Sequence, residues 1–248
     1  TKSQFRILRS LVYGISTFRG LFNDRQLYVL ATLGEAVRAA HDQMIADGVE
    51  PGLAVATTTY LGFVVDKIAD YNSTFTSWRT SVEASRSTFA RQAIAMVWDY
   101  IETDPFRGEE GVWNSHVRWI EQAVRSCSNA SKTPARVLRG DAQGLGFEDG
   151  YFDAVIVDPP YYDAIQYGDL SDFFYVWLKR SIGHLYPNIF ATPLTPKKQE
   201  IIENRADKKS PEYVSHDEFD DRLQRALREM ARVVKHDGMV AIVFAHTD

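Results

Sequence analysis

The chain has 248 residues, 45% of them hydrophobic and 25% charged, and a net charge of -5. That length holds one large domain or two small ones, and the composition is ordinary for a globular protein. No apolar run of about 18 residues exists to span a membrane, and the acidic balance excludes a global basic field for nucleic acid, so any such surface has to be local. The opening TKSQFRILRS has no secretory-signal pattern, and its lack of an initiator Met reads as a piece of a longer polypeptide. Cys127 is the single cysteine, which excludes internal disulfides and cysteine-based zinc clusters and fits a reducing cytoplasm.

The first part reads as helical. Asp24 to Ile45 places Leu27, Leu30, Leu33 and Val37 on one face, with Asp24 as the cap. The break GVEPG is followed by an apolar helix from Leu53 to Tyr71. The spacing predicts further helices over Ser87–Glu102 and Trp113–Ala130, the latter with Val117, Ile120 and Val124 on one side. Trp98, Trp113 and Trp119 read as core.

The pattern changes near Pro134, which divides a mainly helical region (1–133) from an α/β segment (134–248). Ala135–Leu138 is a short strand candidate, and GDAQGLGFEDGYFD is a loop. Ala154–Val157 is a continuous apolar run, as in a strand buried on both faces. Asp169–Ile182 reads as a helix whose FFYVWL aromatics are core and whose Asp172 serves the helix start. Residues 187–215 are polar and proline-punctuated, an excursion or mobile loop. Ser215 then caps an amphipathic helix with Glu218 three residues on, as in a capping box, and Gly238 ends it before the strand Met239–Ala245. The order of strands and helices predicts part of a doubly wound α/β sheet.

The chemistry concentrates in one corner, AVIVDPPYYDAIQY. Ligands of open parallel sheets sit at the carboxyl ends of the strands, and Asp158 to Tyr161 occupy such an end. Pro159 and Pro160 fix their backbone angles and donate no N–H. Rigid carbonyls beside the Asp158 carboxylate suit a group with two N–H donors, such as an exocyclic amine. Tyr161 adds a ring on which a base can stack.

The string DPPY after an apolar strand resembles the catalytic motif of amino-group methyltransferases that act on nucleic acid. The longer DPPYYDAIQYGDLSDFFYVWLKR, with RGDAQGL upstream, resembles more narrowly the large bacterial and archaeal adenine-specific DNA methylases, some of which carry a zinc ribbon. YGISTFRGLFNDRQLYVL and LGFVVDKIADYNSTFTSW are similar to that family as well, so the likeness covers most of the chain in patches. It implies a Rossmann-like fold, S-adenosylmethionine as methyl donor, DNA as partner and the N6 amine of a flipped adenine as target. By position, Asp158 and the Pro159 carbonyl would accept from the amine, Pro160 would stiffen the corner, and Tyr161 would stack on the base. Tyr162, Asp163, Gln166 and Tyr167 would line the target pocket. On the cofactor side stand Asp141, Ala142 and Asp158, with a simple Asx turn as the equal alternative for Asp141. No residues have metal-ligand spacing.

The family's cofactor motif, a strand followed by a Gly-rich turn opening a helix, is not found; VYGISTFRG and GLGFEDG have glycines in the wrong context. The expectation is therefore a fragment of an adenine-specific DNA methyltransferase, its remaining sheet supplied by the rest of the parent polypeptide and its own activity in question. Two alternatives stay open: an enzyme acting on RNA or cytosine N4, whose members usually show Ser or Asn where Asp158 stands, and a non-catalytic DNA-binding or assembly module. The basic cluster Lys197, Lys198, Arg205, Lys208 and Lys209, interleaved with acids, reads as a solvated loop or as a phosphate grip.

Overall fold

The computed structural model describes residues 13–107, 112–204 and 213–244. Their elements make a mixed α/β protein with two small sheets. The chain divides into two compact units. Of the described residues, one comprises 13–107, 112–133 and 169–195, the other 134–168, 196–204 and 213–244. The first unit leaves the chain after residue 133 and takes it up again at 169, so 169–195 clusters with the N-terminal helices and not with the segment that precedes it.

In the helical unit, a 3-10 turn at Phe18–Leu21 leads into α1, Asp24–Ala46. The cap is Asn23, one residue before the expected Asp24. The Asn23 side chain accepts from the Gln26 N–H while the Gln26 side chain accepts from the Asn23 N–H, a complete capping box. Gly48, at φ +79°, makes the turn that a Cβ would resist. Glu50 then caps α2, Pro51–Tyr71, with the proline in the first turn where no N–H is needed. The hairpin β1 (Ser77–Arg79) and β2 (Ala84–Arg86) follows.

The helix expected over Ser87–Glu102 does not form. Thr88 donates its N–H and its hydroxyl to the Asp70 carbonyl at 2.7 and 2.8 Å, and Phe89 N–H donates to the Asp70 carboxylate at 3.1 Å. These bonds draw the chain across the end of α2 and override its helical spacing. Next comes α3, Val112–Ser128, and after the α/β segment the chain returns with α4, Tyr167–Ile182. The core of this unit combines Leu30, Leu33 and Val37 of α1, Val64, Val65 and Ile68 of α2, and Phe173, Tyr175 and Trp177 of α4. Trp113 packs against it, but Trp98 (84% exposed) and Trp119 (52%) do not belong to it as expected. Nor does Asp172 serve the helix start. It is buried and accepts from both the N–H and the hydroxyl of Thr195, at 2.8 and 2.6 Å.

In the α/β unit, β3 (Phe152–Val157) pairs in parallel with β4 (Val234–Ile242). Between them in the chain lies α5, His216–Val233, which buries the one-sided stripe Phe219, Ala226, Met230 and Val233. Ser215 caps it by accepting from the Glu218 N–H at 3.2 Å, but the Glu218 carboxylate turns to Arg222 instead of closing a capping box. The helix ends at Val233, not at Gly238. Gly238 lies inside β4, where the register with β3 slips, and a Cβ there would fall 2.8 Å from the Asp153 carbonyl oxygen. The glycine answers a close backbone approach, not a helix stop.

Two further expectations fail in this unit. Residues 135–138 form no strand, and Val137 is 90% exposed. β3 is not buried on both faces either. Its sheet has only two strands among the described residues, and Ile156 is 71% exposed. Among the described residues, no helix is long and apolar enough to cross a membrane.

Candidate functional site at the carboxyl end of β3

The corner follows β3 directly. Asp158 is exposed one residue beyond Val157, and Val243 N–H donates to the Val157 carbonyl at 2.9 Å, carrying the parallel pairing past β4 to the same edge. The Tyr161 hydroxyl donates to Asp158 Oδ1 at 2.5 Å and lies 3.4 Å from the Val243 carbonyl oxygen. Its ring meets Phe244 edge to face at 5.0 Å. The sequence leads one to expect a carboxylate and a ring side by side; the structure also bonds them to each other. Ala164 N–H donates to the Tyr161 carbonyl at 2.9 Å and closes the turn.

The target-pocket candidates divide. Tyr162 stands at φ +47°, its ring stacked on His216 (5.5 Å, 18° between planes) and packed on Phe219. Gln166 is buried, not facing an open pocket, and its side-chain amide donates to the Glu203 carbonyl at 3.0 Å. Asp163 and Tyr167 are exposed, Tyr167 as the first residue of α4. On the cofactor side, Asp141 Oδ1 accepts from the Gln143 N–H at 2.9 Å, which is the Asx turn, and the Gly144 N–H returns to the Asp141 carbonyl. Asp141 and Ala142 nevertheless line one cavity with Pro160, together with Arg139, Gln199 and Glu200, of about 570 Å³. Asp158 and Tyr161 are not among the residues lining it.

The polar segment after α4 is tied down where it is described. Arg222 donates to the carbonyls of Lys198 and Glu200 at 3.0 and 2.7 Å, and Asn204 bridges Val214 through two backbone bonds. Lys197 and Lys198 belong to this part. Arg205, Lys208 and Lys209 of the basic cluster, and His246, lie outside the described residues. On the far side of the unit, Arg232 donates to the carbonyls of Leu145 and Phe147 and pairs with Asp149 and Glu229, fixing the loop that leads into β3. Lys235 pairs with Asp153, and that bond holds the Asp153 carboxyl below its usual range. Among the described residues, no group of His, Cys, Asp and Glu has the geometry to hold a metal ion.

Three residues of this corner were not singled out from the sequence: Glu203, His216 and Phe244. Only Phe244 had a signal, since it follows the strand whose carboxyl end shares an edge with β3. No family model matches the chain, and no curated protein or solved structure matches it.

Proposed function

We propose that the chain carries the target corner of a DNA adenine-N6 methyltransferase that uses S-adenosylmethionine, built on a Rossmann-like half-sheet. The observation that carries this reading is the position of Asp158-Pro-Pro-Tyr161 at the carboxyl end of a parallel-paired strand, with the acid exposed. The bond from Tyr161 supports it further. Asp158 Oδ1 already accepts a hydroxyl donor, which is what the reading asks of it toward an amine.

The cavity shared by Asp141, Ala142 and Pro160 falls within the usual 300–1,000 Å³ of small-molecule sites, and it fits the methyl donor in size and in donor set. Both Gln143 donors fall on Asp141 Oδ1, so Oδ2 is the oxygen to accept from a ligand. When bound, S-adenosylmethionine supplies an electrophilic sulfonium methyl group. The residues of the chain do the rest by placement. Asp158 and the Pro159 carbonyl accept the two N–H bonds of the adenine amine, which draws its lone pair out of conjugation with the ring. Tyr161 offers an aromatic face to the base. The catalysis asked of them is orientation and electrostatics, without a covalent intermediate.

Tritiated methyl transfer to adenine-containing DNA tests the reading. Asp158→Ala is expected to lower the rate by about 10²- to 10³-fold with an unchanged circular dichroism spectrum. Full activity in that variant overturns it.

A further inference from the structure

The loop that follows the corner is held in an uncommon conformation. Tyr162 is a bulky residue in the left-handed region, which its Cβ disfavours. Such a conformation persists only where its surroundings impose it, and it is found preferentially at functional sites. Three contacts impose it here. The Glu203 N–H donates to the Tyr162 carbonyl at 3.1 Å, the Tyr162 ring stacks on His216, and the same ring packs on the fully buried Phe219.

Glu203 reaches this loop a second time, since its carbonyl accepts from Gln166 at 3.0 Å. Its side chain explains why it stays in place. Glu203 is 2% exposed, with Oε2 lying 3.7 Å from His216 Nδ1. His216 is the first residue of α5, so the carboxylate meets the side chain that opens that helix. The bridge between Asn204 and Val214 anchors the next residue to the strand of chain entering that helix.

We propose that Glu203 and His216 are positioning residues for the corner: acting through Tyr162 and Gln166, they fix the backbone pose in which Asp158 and Tyr161 are presented. Neither belongs to the acceptor pair or offers the stacking ring. The proposal rests on the methyl-transfer reading for its kinetics alone, because the pose can be measured without turnover.

Amide hydrogen exchange and methyl-transfer kinetics on Glu203→Ala, His216→Ala and His216→Phe test it. In both alanine variants, the Ala164 amide, which closes the turn on Tyr161, is expected to exchange about tenfold faster or more, while α5 and β4 keep their protection. His216→Phe restores a ring for Tyr162 to stack on and returns the exchange toward the wild-type rate, which a merely structural loss of the histidine would not do. The kinetics are expected to show kcat lowered about 10- to 100-fold in the alanine variants, with KM for DNA within about twofold and kcat largely recovered in His216→Phe. Unchanged Ala164 exchange in both alanine variants overturns the proposal, as does loss of protection across the whole α/β unit. A wild-type protein without methyl transfer removes the methyltransferase reading and leaves the exchange result to decide the positioning role.

Discussion

The two units of this chain spend their apolar residues differently. In the helical unit, α1, α2 and α4 bury contiguous stripes, and Leu30, Val65, Ile68 and Phe173 have essentially no exposure. In the α/β unit, Ile156 of β3, Met239 of β4 and Val243 just beyond β4 are more than half exposed. Parallel sheets are normally covered on both faces, and among the described residues this one is not. The corner is stiffened instead by local means: two prolines, the Tyr161–Asp158 bond, and the Glu203 tie to Tyr162 and Gln166. A site can therefore be ordered by hydrogen bonds and aromatic contacts on a sheet that has little core of its own.

The largest expected effect lies in the helical unit. Phe173 is fully buried, with ring contacts to Phe22 at 5.7 Å, Phe89 at 5.0 Å and Phe174 at 5.1 Å. Phe173→Ala removes those contacts and leaves a cavity, at a cost of about 3–5 kcal/mol measured by urea unfolding. A cost under about 1 kcal/mol would place the stabilising core elsewhere and undo the contrast between the units.

The same unit should be the acid-sensitive one. His116 is 3% exposed and neither ring nitrogen has a hydrogen-bond partner. Burial, and then the charge of Lys67, lowers its pKa from 6.5 to about 4. A base that is harder to protonate in the fold lets the unfolded state take the proton first. Its contribution to stability is therefore intact above about pH 6.5 and is lost as the pH falls toward 4, by about 2–3 kcal/mol. Asp66 acts in the opposite sense. Burial, aided by Asp70, raises its pKa, so its contribution is present at low pH and lost as the pH rises above the usual carboxylate range. His116→Phe is expected to flatten the fall of urea-unfolding stability between pH 6.5 and 4. An unchanged slope would show that His116 takes up its proton as readily in the fold as in the unfolded chain.

How much of this was legible depended on the reach of the forces involved. The helices among the described residues announce themselves because an apolar stripe is a local pattern, and α1, α2 and α5 start within a few residues of where they are expected. Residues 87–102 carry a comparable pattern and fail as a helix because Asp70, distant in sequence, captures Thr88 and Phe89. Gly238 could be read as a helix stop only while the approach of the Asp153 carbonyl was unseen. At the site, the acid, the prolines and the tyrosine are contiguous and so were readable, as was the Asx-turn alternative for Asp141. Glu203 and His216 come together with Tyr162 only in the fold. Glu203 also sits in a charge-rich stretch whose composition suggested solvation, whereas its position is buried.

The smallest expected effect probes the other side of the comparison. Ile156 is the penultimate residue of β3, in an apolar run of the kind that parallel sheets bury, yet it is 71% exposed. Ile156→Thr keeps the β-branched shape that suits a strand and removes apolar surface from the exposed side. With so little burial to lose, it is expected to change the urea-unfolding free energy by less than about 0.5 kcal/mol. A loss of about 2 kcal/mol or more would mean that something covers this face of β3 in solution. The α/β unit would then resemble the helical one in drawing its stability from a buried core, and the contrast between them would be one of which residues supply the cover, not of how the corner is held.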